Sequence, residues 1–247
     1  MDIQDGETKG VTVNGKLLPA DAVIVTQDTL GAADALFDPP LEAEWLAEMR
    51  RDTRLTLNTL VCLGVEADLS NLRGRTIIMP LDEPLVLDDR EFTELGFHNC
   101  AGYKDYAPKG CTAITVALMG DTYDYWKRLR EAGDYGAEKE RLAQAIIGIL
   151  SDKLPQIKGK VAVADVATPL TYERYCGSHR GSWMTMIGKG KQPGPYPCTV
   201  EGVSGLYFAG QRLRAPGGMP VAAATGRTAA QYLCRDAGAV FQGVRLN

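Results

Sequence analysis

Two rhythms of hydrophobic and polar positions alternate along the chain. At the start, KGVTV (9–13) and DAVIVT (21–26) are β-rich runs separated by the turn-forming Asn14-Gly15, which predicts a hairpin and then a buried strand. Asp28 stands where it would cap a short helix over 28–37; Pro39-Pro40 ends that helix, and LEAEWLAEMRR (41–51) starts another. Residues 54–69 begin with apolar and polar positions in alternation and predict a strand, and ELGFHNC (94–100) and CTAITVALMG (111–120) predict two more. Period-three-to-four spacing then takes over. Tyr123, Trp126 and Leu129 share one face of a helix over 121–133, and Leu142, Ile146, Ile149 and Leu150 share one face of a longer helix over 137–155. KVAVADV (160–166) returns to strand. The Gly/Pro-rich run 188–197 cannot be regular structure and marks a sub-boundary near Pro197. GLYFAG (205–210) predicts a buried strand, 212–220 a loop, and 221–237 a small-residue helix of about four turns.

Composition narrows the class. The 247 residues are 45% hydrophobic and 23% charged, which excludes a disordered, collagenous or coiled-coil chain. The net charge of −4, without a long basic run, argues against a nucleic-acid partner. No stretch approaches the roughly 18 consecutive apolar residues of a membrane span. The acidic, polar opening MDIQDGETKG does not read as a secretory signal, so the expected location is cytoplasmic, with peripheral membrane contact left open. Six dispersed cysteines without a CxxC pair read as reduced, mostly buried thiols. Two histidines rule out a multi-histidine metal site, and no metal is expected.

Candidate chemistry lies in the last third, where Gly and Pro cluster. A strand ending at Ala209-Gly210 lets a ligand reach the backbone with no side chain between, and Gly217-Gly218 repeats the opportunity. Pro220 suits the first turn of the following helix, whose free N–H groups and positive dipole end favour electron-rich ligand atoms. Val221 to Ala224 add little bulk. A tightly packed strand-loop-helix without a ligand explains the same pattern. Thr168 and Thr171 flank Pro169 after a strand; they either aim hydroxyls into a cleft or cap a helix start. His98 and His179 each lack a sequence-adjacent partner and read as surface or satisfied histidines. Arg180, Arg212, Arg214 and Arg227 offer charge for a diphosphate or for the surface, and Arg227 reads as a structural pairing.

The runs GQRLRAPGGMPVAAATGR (210–227) and ATPLTYERY (167–175) make this chain resemble the C-terminal half of the phytoene desaturase, carotenoid isomerase and retinol saturase family of FAD-dependent oxidoreductases, within the amine oxidase superfamily. Residues 5–28 resemble that family's hairpin and strand returning to the flavin domain, and 98–116 a strand pair of its substrate region. The resemblance implies FAD as cofactor, with Gly210 and Gln211 near its ribityl and diphosphate and Gly217, Gly218, Met219 and Pro220 near its ring system. Thr168 and Thr171 become substrate-side candidates, and no catalytic side chain is assigned. Two departures stand out. Many members carry an acid where this chain has Gln211, and the family's opening GxGxxG unit has no counterpart; GKGKQPG (188–194) has the wrong spacing.

The fold expected is therefore α/β with an α+β substrate lobe, an incomplete FAD/NAD(P)-binding-type fold lacking the N-terminal GxGxxG Rossmann unit. Residues 1–38 and 197–247 would form a discontinuous flavin-binding part and 39–196 a substrate lobe. The expected function is hydride transfer between flavin and a carotenoid, retinoid or similar apolar polyene. The alternative is a non-catalytic subunit or truncated relic that needs a partner chain carrying the dinucleotide-binding half. A third reading is an amine or protoporphyrinogen oxidase relative.

Overall fold

The computed structural model describes residues 1–72, 74–187 and 195–243, so the Gly/Pro-rich run at 188–194 lies outside the described residues. The elements begin with β1 (Asp2–Gln4), β2 (Glu7–Val13), β3 (Lys16–Pro19), β4 (Val23–Val25), α1 (Thr29–Ala35), α2 (Glu44–Asp52) and β5 (Thr53–Thr56). Then come β6 (Asn58–Val65), β7 (Thr76–Leu87), β8 (Arg90–Asn99), β9 (Thr112–Met119), α3 (Tyr123–Ala132), α4 (Tyr135–Lys153) and β10 (Val161–Ala167). The chain continues through α5 (Pro169–Cys176), β11 (Met184–Ile187), β12 (Thr199–Val200), β13 (Val203–Phe208) and α6 (Met219–Asp236). They divide into two compact units of mixed α/β content, 1–56 with 173–247, and 57–172.

In the first unit the two ends of the chain share a sheet. β13 runs parallel to β4 in the register Leu206↔Val23, Tyr207↔Ile24 and Phe208↔Val25, touches β2 at Ser204↔Glu7, and pairs antiparallel with β12. The hairpin turn at Asn14-Gly15 has positive φ at both residues (51° and 76°), the backbone that suits the twist of the flanking strands. Asp5-Gly6 makes a second turn of this kind (51° and 75°) and adds β1, absent from the expected hairpin. Below the sheet, Leu30, Phe37, Leu46, Met49, Leu206 and Phe208 form the core. Phe208 meets the edge of Trp45 at 5.7 Å between ring centroids.

The division falls at 56/57 and 172/173, whereas the sequence placed it at 38/39 and 196/197. The physical reason is pairing and burial. α2 contributes Leu46 and Met49 to the first core, and β5 pairs with β11 from Thr53↔Ile187 to Thr56↔Met184, so both segments pack with the chain ends. The single strand expected over 54–69 is for the same reason two strands, β5 and β6, parted at Leu57.

The second unit is a five-stranded antiparallel sheet in the order β10-β6-β9-β8-β7. Alternation along β6 and β9 buries Val61, Leu63, Ile114 and Val116 against Trp126 of α3 and Leu142 and Ile146 of α4. β7, at the sheet edge, is not expected from the sequence, because TIIMPLDEPLVL contains Pro80 and Pro84. An edge strand tolerates prolines that face outward, and the register with β8 shifts between Pro80 and Leu85, where a bulge absorbs the interruption.

Trp126 is fully buried and its indole Nε1 donates to Thr59 Oγ1 at 3.0 Å, joining α3 to the sheet. Trp126→Ala is expected to cost about 3–5 kcal/mol through the cavity it leaves. Trp126→Phe should cost less, about 1–3 kcal/mol, through the lost indole volume and the loss of one of the two partners of Thr59 Oγ1, which keeps Thr122 Oγ1 at 3.3 Å. Urea unfolding followed by far-UV circular dichroism checks both values and their order.

Candidate functional site

The last strand of the first unit delivers the backbone to a loop built for close approach. Ala209 still donates to Val25 O at 2.9 Å, extending the parallel pairing by one residue. Gly210 then turns out at φ 146°, a value that favours glycine. Thr225, one turn and a half into α6, secures this point: its Oγ1 accepts the Gly210 N–H at 3.0 Å and lies 3.0 Å from Gly210 O. Nothing in the sequence pattern singles out Thr225, because a threonine inside a helix reads as neutral until its partner is known.

Gln211 opens a 3-10 turn, Gln211–Leu213, and its amide has two partners. Oε1 accepts the Gly218 N–H at 2.9 Å, and Nε2 donates to Trp183 O at 2.8 Å. Gly217 and Gly218 have φ of 95° and 86°. A Cβ on Gly217 would sit 3.1 Å from Gln211 Oε1, so the turn closes directly onto Gln211. Gly218 is the N-cap of α6 and has no side chain to cap with, and Pro220 occupies the first turn without an N–H. Among the described residues the N–H groups of Met219 and Val221 have no protein acceptor, and the Met219 side chain is 87% exposed. The structure thus brings Gly210, Gln211, Gly217, Gly218, Met219 and Pro220 into one assembly.

Beside Gln211, Arg212 turns the other way. Its side chain is 1% exposed, its Nε donates to Asp28 Oδ2 at 2.7 Å, and its Nη2 donates to Asp28 Oδ2 and to Ser182 Oγ, the latter at 2.6 Å. The same Asp28 caps α1, its Oδ1 accepting the Gly31 N–H at 3.1 Å. Arg212 is therefore committed to a buried carboxylate, while Arg214 is exposed and Arg227 lies over the Phe241 ring at 5.6 Å. His179 is half-buried, and its Nδ1 is 3.9 Å from Asp34 Oδ2. Burial pushes its pKa below the usual imidazole range against the pull of Asp28 and Asp34, which favours the neutral ring. His98 stacks against Tyr103 and sits 3.4 Å from Thr76 Oγ1.

Thr168 and Thr171 belong to the second unit, and the helix-start reading describes them. Thr168 O accepts the N–H groups of Thr171 and Tyr172, Thr171 Oγ1 accepts the Thr168 N–H at 3.1 Å, and Pro169 is the first helical residue. The Tyr135 hydroxyl lies 2.8 Å from Thr168 Oγ1, which is fully buried.

Two outcomes follow from this geometry. Arg212→Met leaves Asp28 buried without its cation and should cost about 3–5 kcal/mol, and adding Asp28→Asn should recover part of that loss, measured as urea midpoints. Tyr207 donates to Asp236 Oδ2 at 2.8 Å, tying β13 to the last turn of α6, and burial followed by that bond pushes its pKa up to about 12. An acid whose pKa is raised by folding contributes stability that is complete below its unfolded pKa of about 10 and is lost as pH rises through its folded value. The stability of the wild type should therefore fall more steeply than that of Tyr207→Phe between about pH 10 and 12.

Comparison with known proteins identifies the family. A family model described as flavin containing amine oxidoreductase matches residues 2–234. A 4,4'-diapolycopene oxygenase from Methylomonas sp is 25% identical over 94% of this chain and 48% of its own length. A chloroplastic prolycopene isomerase from Daucus carota is 28% identical over 70% of this chain and 26% of its own. The chain spans about half the length of the first of these relatives and less of the second. Its fold is like that of cyclohexylamine oxidase from Brevibacterium oxydans, at TM-score 0.58 and 17% identity, over 90% of this chain and 44% of that one. The loop fits a flavin on its own chemistry: Gly218 leaves room, its nearest neighbour to an added Cβ being Pro220 at 3.8 Å, and the N–H groups of Met219 and Val221, without an acceptor among the described residues, are neutral donors for the cofactor's oxygen and nitrogen atoms. The two curated relatives carry names from carotenoid chemistry; the chain itself belongs to the flavin containing amine oxidoreductase family, whose model matches residues 2–234, and its cofactor is FAD.

Proposed function

We propose that the chain is the C-terminal part of an FAD-dependent oxidoreductase acting on a carotenoid, retinoid or similar apolar polyene. The observation that carries this reading is the assembly of Gly210, Gln211, Gly217 and Gly218 around N–H groups at the start of α6 that have no acceptor among the described residues, in a chain whose curated relatives carry names from carotenoid chemistry. Bound there, FAD supplies the hydride chemistry. The chain's own residues hold and orient it: Gly218 gives it room, Gly217 lets the turn close onto Gln211, Met219 and Val221 offer backbone donors, and Thr225 and Gln211 fix the loop. No side-chain nucleophile is needed. The first unit is the flavin side and the second the substrate side, where Thr168 and Thr171 fix the start of α5.

An apolar substrate is supported by the sheet face of the second unit that points away from its helices. Leu60, Gly64, Gly96 and Ala113 are half-buried there, and Ile78 and Val163 are 62% and 63% exposed. A Cβ on Gly64 would meet Val163, and one on Gly96 would meet Ile78; Glu94, His98 and Asp165 stand on the same face and bound this apolar stretch.

The second reading, a piece that works only beside a dinucleotide-binding half, also has a specific observation behind it. Among the described residues β4 has one strand partner, β13, and its other edge carries unpaired backbone groups. α6 has 18 residues and one fully buried side chain, Ala229. Both surfaces suit coverage by a further parallel strand and its helix. The chain is to be co-expressed with a GxGxxG-containing half from a polyene-modifying relative and offered lycopene and a primary amine in parallel. The expected outcome is a shifted visible spectrum and new chromatographic peaks from the polyene with the amine unchanged. Turnover of the amine alone would overturn the substrate class.

A further inference from the structure

We propose that Gln211 is a positioning residue, which holds the Gly217-Gly218 turn in its ligand-ready shape by using both ends of a neutral amide. The inference rests on the reading that this turn faces the cofactor, and it concerns what makes the turn rigid.

The start of α6 has no local means of order. Its N-cap is a glycine, its first turn holds a proline, and the two glycines at 217 and 218 have the largest conformational freedom of any residue type. Left alone, such a turn would populate many shapes, and a ligand would have to select one at a cost in affinity. Gln211 supplies what is missing from seven residues upstream. Its Oε1 takes the N–H of the N-cap Gly218 at 2.9 Å, the donor that a Glu or Gln at N3 takes in a capping box and that Val221, at N3 here, cannot. The opposite end of the amide is anchored in turn, Nε2 to Trp183 O at 2.8 Å, so the acceptor cannot swing away. The partners fix the orientation of the amide, because only its oxygen can receive an N–H and only its nitrogen can serve a carbonyl. Neighbouring Arg212 grips Ser182 Oγ at 2.6 Å, so two consecutive residues of this loop hold two consecutive residues of the segment before β11. The close fit of Gly217 beneath Gln211 Oε1, 3.1 Å from an added Cβ, completes the clamp.

Glutamate has the same shape but cannot do the same work. A carboxylate at position 211 still accepts from Gly218 and places its second oxygen, a bare acceptor, against the Trp183 carbonyl. Alanine loses both contacts.

The test needs a readout that does not depend on turnover. Amide hydrogen exchange at Gly218 is to be measured in the unliganded full chain for the wild type, Gln211→Ala and Gln211→Glu, with Ala209, bonded to Val25 O, as the internal reference. Exchange at Gly218 is expected to speed up by about tenfold in Gln211→Ala, the size of one net hydrogen bond, and to a smaller extent in Gln211→Glu, with Ala209 unchanged. Unchanged exchange at Gly218 in Gln211→Ala would overturn the proposal. FAD titration followed by absorbance then separates the two levels. Weaker binding in both variants, with Gln211→Glu between wild type and alanine, supports the positioning role. Loosened exchange with undiminished FAD affinity overturns the role toward the cofactor. A wild type whose Gly218 is protected but which binds no FAD, either alone or co-expressed with the GxGxxG-containing half, overturns the proposed function and leaves the clamp standing.

Discussion

The buried pair between Asp28 and Arg212 is the constraint on which the first unit is organised. Residue 28 lies just past β4 and residue 212 just past β13, so the pair locks the ends of two parallel strands that are nearly the whole chain apart. A carboxylate 6% exposed and a guanidinium 1% exposed are tolerable only together, and each is further bonded, Asp28 to the first turn of α1 and Arg212 to Ser182. The direction in which the chain leaves β13 is set by that lock. Everything that makes the candidate site, from the exit at Gly210 to the turn at Gly217, follows from where Arg212 is held.

Around this fixed point the loop divides its work between backbone and side chain. The surface proposed to face a ligand is backbone: glycines without bulk and helix N–H groups without acceptors among the described residues. Thr225 and Gln211 shape that surface from behind. Such an arrangement suits a planar, electron-rich group whose own chemistry is complete, since the protein then has to orient it and keep it dry rather than supply a reacting side chain. The neutral state favoured for His179 and the commitment of Arg212 to Asp28 fit the same division, in which charge is spent on structure.

The sequence made much of this legible, and the failures have physical causes. Strands and helices with clean period, such as β9, α3 and α4, sit where alternation or helical spacing put them, because one face of each meets a core. Asp28 was readable as a cap from its place before a small-residue helix. β7 was not, since its prolines argue against any strand except one at a sheet edge, and edge position is a property of the whole sheet. At the site, the glycines and Pro220 were visible as backbone signals. The roles of Gln211, Thr225 and Arg212 were not, because each depends on a partner between 3 and 184 residues away. Thr168 and Thr171 carried two readings in sequence, and the helix start claims their backbone and hydroxyl groups.

The central claim is that the turn and the first residues of α6 receive the flavin. Its most direct test is amide hydrogen exchange across residues 209–225 of the full chain with and without saturating FAD. The account predicts slowed exchange at Met219 and Val221, whose N–H groups have no acceptor among the described residues, with Ala209 unaffected. Exchange at Met219 and Val221 that stays the same while FAD is demonstrably bound would contradict it.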